Sequence, residues 1–201
     1  MGEVISFGRS KQVPFWWLAA PTIKWSAERH PELPVLEARG VIMLWDDDQE
    51  DAEEPTIEAG SIRIAKPLLW AGMDPLIAMD DISSDYEALA HSILGTHSYN
   101  DAFAEWFEGQ FGIFPISDPV FIDDIDILPA YRNPRDPLAA QAVVEALAAF
   151  GAPDSPIVGF GFDQVNSEDV ATYRDKGLWD WVGPLGAEPW HDVLVAARPQ
   201  G

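Results

Sequence analysis

The chain holds 201 residues with 34 Asp and Glu against 12 Lys and Arg, a formal charge of -22 with His neutral. An acid excess of this size repels nucleic-acid phosphates and anionic membrane surfaces alike, which argues against direct nucleic-acid binding and makes a basic protein or cationic substrate the electrostatic expectation. With 47% hydrophobic residues and no cysteine, the composition suits one folded core rather than an acidic tail, and it removes disulfides, thiolate nucleophiles and sulfur-ligated zinc.

The opening residues carry no signal-peptide pattern, and no run approaches the roughly 18 apolar residues that span a bilayer. The expectation is a soluble, cytoplasmic protein folding as a single domain over residues 1–201, with its oligomeric state open. Val13 to Trp17 is apolar and aromatic, Pro21, Pro31 and Pro34 punctuate the next stretch, and Val35 to Trp45 reads as a strand. Asp46 to Glu54 places seven acids in nine residues. Such a run is costly to bury, so it reads as an exposed hairpin connection or mobile loop, with a patch for a basic partner as the other reading. It lacks the Gly and the terminal Glu of a calcium loop.

Ile57 to Ala65 reads as the return strand, with Ile62 and Ile64 on one face and Pro67 ending the pattern. The middle of the chain turns helical. Ser84 and Glu87 have the spacing of a capping box, Tyr86, Leu89, Ala90 and Ile93 form one apolar stripe, and Gly95 supplies a stop. Asn100 is the expected cap of a second helix anchored in the core by Phe103, Trp106 and Phe107.

Val120 to Leu128 predicts a strand and Asp136 to Phe150 an Ala-rich helix whose Val143, Val144, Leu147 and Phe150 can face a sheet, with Gly151 beyond it. Ile157 to Phe162 is the next strand. A helix comes next from Ser167, with Arg174 and Lys176 near its end and Gly177 closing it, and then strands at Leu178 to Val182 and His191 to Ala197. The alternation gives an α/β or α+β fold, a mixed central sheet flanked by helices. His30, His91, His97 and His191 have no metal-like spacing, so no metal site is expected.

Two segments carry a family resemblance. VFIDDIDILPAYRNPRDPLAAQAVVEAL at 120–147 and NSEDVATYRDKGLWDWVG at 166–183 resemble the GNAT superfamily of acyl-CoA-dependent acetyltransferases, in an order like the family's. The resemblance implies a GNAT-like fold in which backbone around Ile127 aligns the pantetheine arm, and Arg132 and Arg135 approach the coenzyme phosphates. It makes Asp123 the carboxylate that draws a proton from an acceptor amine, Tyr173 the acid that protonates the leaving thiolate, and Asn166 a holder of acceptor or cofactor. Each has a plainer reading: Asp123 as a cleft carboxylate, Tyr173 as a packed ring, Asn166 as a helix start. Strand parity places Asp124 and Asp126 on the face opposite Asp123.

The turn after the strand departs from the family. Where glycines and free amides are expected the chain reads Asn133, Pro134, Arg135, Asp136, Pro137. Two prolines donate no N–H, which would weaken pyrophosphate binding by about 3 to 6 kcal/mol, roughly 100- to 10,000-fold. Asp136 with Pro137 at N1 would also cap the helix where a phosphate would sit. The leading expectation is therefore a non-catalytic or diverged GNAT-like acidic protein that engages a basic protein and needs no cofactor, nucleic-acid mimicry being one version of it. The alternative is an N-acetyltransferase using acetyl-CoA or another acyl-CoA on a cationic amine, peptide or protein.

Overall fold

The computed structural model describes residues 21–46, 54–132, 138–160, 180–182 and 193–197. The chain opens on three antiparallel strands, β1 (Thr22–Arg29), β2 (Val35–Leu44) and β3 (Ile57–Pro67). β1 lies between Pro21 and Pro31, two residues that cannot join a ladder from its middle. Ile23 and Trp25 turn one side of β1 into the core, while Lys24 and Ser26 face solvent. The acidic run connects β2 to its antiparallel neighbour β3, as a hairpin connection does. Of its two described residues, Glu54 is exposed and holds Lys24 Nζ at 2.9 Å, an ion pair that lowers the Glu54 pKa but, in full solvent, contributes little to stability.

Three helices follow: α1 (Pro75–Asp80), α2 (Ser84–Ile93) and α3 (Asp101–Phe111). The sequence pattern predicts no helix at α1, whose six residues are too few for a periodic signal, although Asp74 caps it and Pro75 opens it. At α2 the expected capping box does not form. The cap is Ser83, whose Oγ accepts from Tyr86 N at 3.2 Å, which puts Glu87 one position too far along to answer it. The stop falls as expected: Leu94, in extended conformation, is the C-cap, and Gly95 follows it at C′. The stripe of Tyr86, Leu89, Ala90 and Ile93 is buried as expected. At α3, Asn100 accepts from Phe103 N at 2.8 Å, Phe103 and Phe107 are fully buried, Trp106 is partly so, and Gly112 ends the helix with φ of 70°.

β4 (Val120–Ile127) pairs antiparallel with β3, and α4 (Leu138–Phe150) returns the chain to β5 (Ile157–Phe160), which pairs parallel with β4. Lys66 of β3 donates to Phe150 O at 2.8 Å, satisfying a carbonyl at the end of α4. β6 (Asp180–Val182) and β7 (Val193–Ala196) complete, among the described residues, a seven-stranded sheet of order β1-β2-β3-β4-β5-β7-β6. The helix expected from Ser167 to Gly177, the apolar and aromatic stretch Val13 to Trp17, residues 133–137 and the side chains of Val144 and Leu147 lie outside the described residues.

The sheet separates two cores. On one face Ile42, Ile62, Ile64, Ile122 and Ile127 meet Leu138, Ala142, Val143 and Ala146 of α4, with Trp25 edge-on to Phe150 at 4.8 Å. On the other, Val35, Ala65, Phe121 and Val158 meet α1, α2 and α3. Burying each large apolar side chain contributes roughly 1.5 to 3 kcal/mol, so layers on both faces hold the sheet. Among the described residues no helix is long and apolar enough to cross a membrane.

Candidate functional site

β4 is the strand at which the sheet changes from antiparallel to parallel pairing, its partner on one side being antiparallel β3 and on the other parallel β5. The parallel ladder runs only from Val120 to Ile122, opposite Ile157 to Gly159. Ile64 pairs with Ile122 while its neighbour Arg63 pairs with Asp124, so Asp123 is the extra residue of a β-bulge. Bulges re-aim side chains and are over-represented beside active sites.

The bulge overturns the parity expectation. Strict alternation would put Asp124 and Asp126 with Ile122, yet Ile125 and Ile127 rejoin Val120 and Ile122 in the core against α4. Asp124 and Asp126 therefore lie on the α2 face. Asp123 reaches that same face, because its Oδ2 sits 2.7 Å from an Nη of Arg63, which stands between the core-facing Ile62 and Ile64. Close approach of the two strands continues past the bulge, where a side chain at Gly60 would meet Asp126 O at 2.2 Å.

The Asp123 side chain is only 11% exposed. Burial pushes its carboxyl pKa above the usual carboxylate range, Arg63 pulls it back, and Asp85 and Asp124 push it up again. From below, α2 brings the buried phenol of Tyr86, held well above the ordinary tyrosine range by burial and then by Asp123, against the opposing pull of Arg63, with Glu37 and Asp124 adding to the rise. Its neutral form is thus fixed at any physiological pH. Arg39 of β2 stands directly across from Arg63 and has no ion-pair partner among the described residues, an unfavourable like-charge juxtaposition on an exposed sheet face.

Of the residues expected to form the site, the structure brings Ile127 and Arg132 together at the carboxyl end of β4, while Asp123 lies four residues earlier on the same strand, against Arg63. Ile127 is buried, and its carbonyl accepts from Arg132 Nε at 2.7 Å, while an Arg132 Nη lies 3.6 Å from Asp126 Oδ1. The 3-10 turn Pro129–Tyr131 makes this fold-back, with Leu128 N bonded to Ala59 O at 2.8 Å and Tyr131 N to Leu128 O at 2.8 Å. Arg135, Asn166 and Tyr173 lie outside the described residues. Sequence reasoning missed Arg63, Asp85, Tyr86 and Glu37 as members of the cluster. Only Arg63 carried a signal, a charge set between two core isoleucines in a chain poor in bases. Among the described residues no three His, Cys, Asp or Glu come together as metal ligands.

Fold and site together define an α/β protein with a mixed sheet between helical layers and a cluster of acids around Arg63 at the β3–β4 bulge. No family model, curated protein or solved structure matches the chain.

Proposed function

We propose that the chain is a GNAT-like acidic binding protein that engages a basic protein partner and has lost ordinary coenzyme A chemistry. The observation that carries this reading is Arg132. The guanidinium that the resemblance assigns to the coenzyme phosphates is turned back onto its own strand, on Ile127 O at 2.7 Å and beside Asp126. The Ile127 carbonyl is taken up by the same contact. These residues therefore do not fit the coenzyme as they stand, and the two prolines and Asp136 of the next turn point the same way. The strand, Ala-rich helix and parallel strand at Val120 to Phe160 support the GNAT-like scaffold, and the charge of -22 supports a basic partner.

The test is calorimetric titration with acetyl-CoA at low and moderate salt. Absence of heat up to millimolar coenzyme is the expected outcome, and micromolar binding would overturn the reading.

One observation favours a second reading, an acyl-CoA-dependent N-acyltransferase acting on a cationic amine. Asp123 is a desolvated carboxylate re-aimed by a bulge, and burial raises its pKa, the direction that makes a carboxylate a better proton acceptor. In that case acyl-CoA supplies the acyl group, Asp123 takes the amine proton, and turnover falls in Asp123→Asn while the amine still binds.

A further inference from the structure

Beyond the carboxyl end of β3, large apolar side chains are held out to solvent by loops that are themselves firmly fixed. Trp70 is 77% exposed, Ile116 is 62% and Ile77 is 58%, with Phe114 and Met73 beside them in sequence. Leu69 N donates to Asp118 Oδ1 at 2.9 Å, tying the loop that bears Trp70 to the loop that bears Phe114 and Ile116. The second loop is pinned again by Asp154, which accepts from Ile116 N at 3.1 Å, Ser117 N at 2.9 Å and Ser117 Oγ at 2.8 Å, and by the Tyr99 hydroxyl, which donates to Ser117 O. Asp74 accepts from Leu76 N at 2.9 Å and so fixes the first turn of α1, from which Ile77 projects.

An open cleft of about 530 Å³ adjoins this surface, with Leu33, Pro34, Ala71 and Met73 along it and Arg29 and Glu32 at its sides. Met73 lines the cleft and Trp70 stands in the same loop; Trp and Met are enriched at interfaces, and segments fixed in the free protein lose little freedom on docking.

Charge selects the occupant. Glu32, Asp80 and Asp81 are exposed around the apolar side chains, Arg29 is the cation at the cleft, and the whole chain carries -22. A second copy, a nucleic acid or an anionic lipid surface would each bring negative charge to negative charge. We infer that Trp70, Met73, Ile77, Phe114 and Ile116 form the docking surface for a basic protein segment that presents an apolar anchor. This rests on the proposed function and gives it a place on the molecule, away from Asp123.

The test uses two synthetic peptides of identical composition, a Lys/Leu amphipathic helix and a shuffled version without an apolar face, together with oligolysine. Binding is followed by backbone amide shifts in the full chain at low and moderate salt. The amphipathic peptide is expected to bind at least about tenfold more tightly than the shuffled one and to shift residues 69–77 and 114–117. Trp70→Ala, and independently Ile116→Ser, should weaken it by about thirtyfold with the melting temperature unchanged. Unchanged affinity in both variants, or shifts centred on Asp123 to Asp126, would overturn the surface and leave the basic-partner reading standing. Failure of every basic probe to bind at low salt would overturn that reading itself. A concentration-dependent dimer lost in Trp70→Ala would replace the basic segment with a second copy and so overturn the assignment.

Discussion

The middle of β3 and the loops beyond its carboxyl end solve opposite problems. At the bulge, charged groups are brought together and largely neutralise one another: Asp123 against Arg63, and Arg132 against Asp126 and the Ile127 carbonyl. Beyond the carboxyl end of β3, polar groups are spent on fixing backbone, through Asp154, Asp118 and Asp74, and the apolar side chains are left uncovered by the described residues. In a chain this acidic one would look for the partner at the densest acids. The two regions argue otherwise, since acids that already hold an arginine have less to offer a partner than a fixed apolar surface with exposed acids around it.

The largest expected effect breaks the second region alone. Asp154→Ala leaves two amides and a hydroxyl without their acceptor and should cost about 3 kcal/mol in urea unfolding. Its partial burial acts to raise the Asp154 pKa, but the Ser117 and backbone hydrogen bonds outweigh it and hold the pKa below the usual value. A depressed pKa means stability present above about pH 4 and lost as pH falls through the folded-state value. The gap between wild type and variant should therefore narrow in acid.

Arg63→Ala breaks the first region, leaving a largely buried carboxylate unpaired. Because Arg63 is half exposed and solvent screens the pair, the expected loss is about 2 kcal/mol rather than the larger figure for a fully buried pair. Without Arg63 the Asp123 pKa rises further, so the loss should be seen at neutral pH and shrink on acidification, when Asp123 is protonated in both states. Smaller again is Ser83→Ala, which unlatches the end of α2 that carries Asp85 and Tyr86 to the bulge. It should cost about 1 kcal/mol, whereas Ser84→Ala should be nearly neutral. A reversal of those two would restore the capping box that the sequence pattern suggested.

That one-residue shift marks the limit of what was legible. Asn100 with Phe103 and Phe107, and Ile62 with Ile64, were readable because cap chemistry and side-chain period are local properties of the chain. Ile127 and Arg132 meet because they are close in sequence across the end of β4 and the turn after it, and Asp123 shares their strand. The bulge was not readable, since it exists only as a mismatch of register between β3 and β4, and with it went the true facing of Asp124 and Asp126. Arg63, Glu37 and Tyr86 come from β3, β2 and α2, and nothing in the order of residues along the chain says that they converge.

The smallest effect is the sharpest probe of the bulge. Asp123 has a raised pKa even with Arg63 beside it, so the folded state disfavours its charge more than the unfolded chain does. Stability is therefore lost as pH rises from the unfolded value near 4 through the folded one. Asn has the same shape and no proton to release, so Asp123→Asn should gain on wild type as pH rises from 4 to 7, by no more than about 1 kcal/mol, measured as the difference between two urea midpoints. If instead the variant loses ground over that interval, Arg63 outweighs burial and Asp123 is an ordinary ion-pair carboxylate. The second functional reading would then lose its proton acceptor, while the apolar surface beyond the carboxyl end of β3 would be untouched.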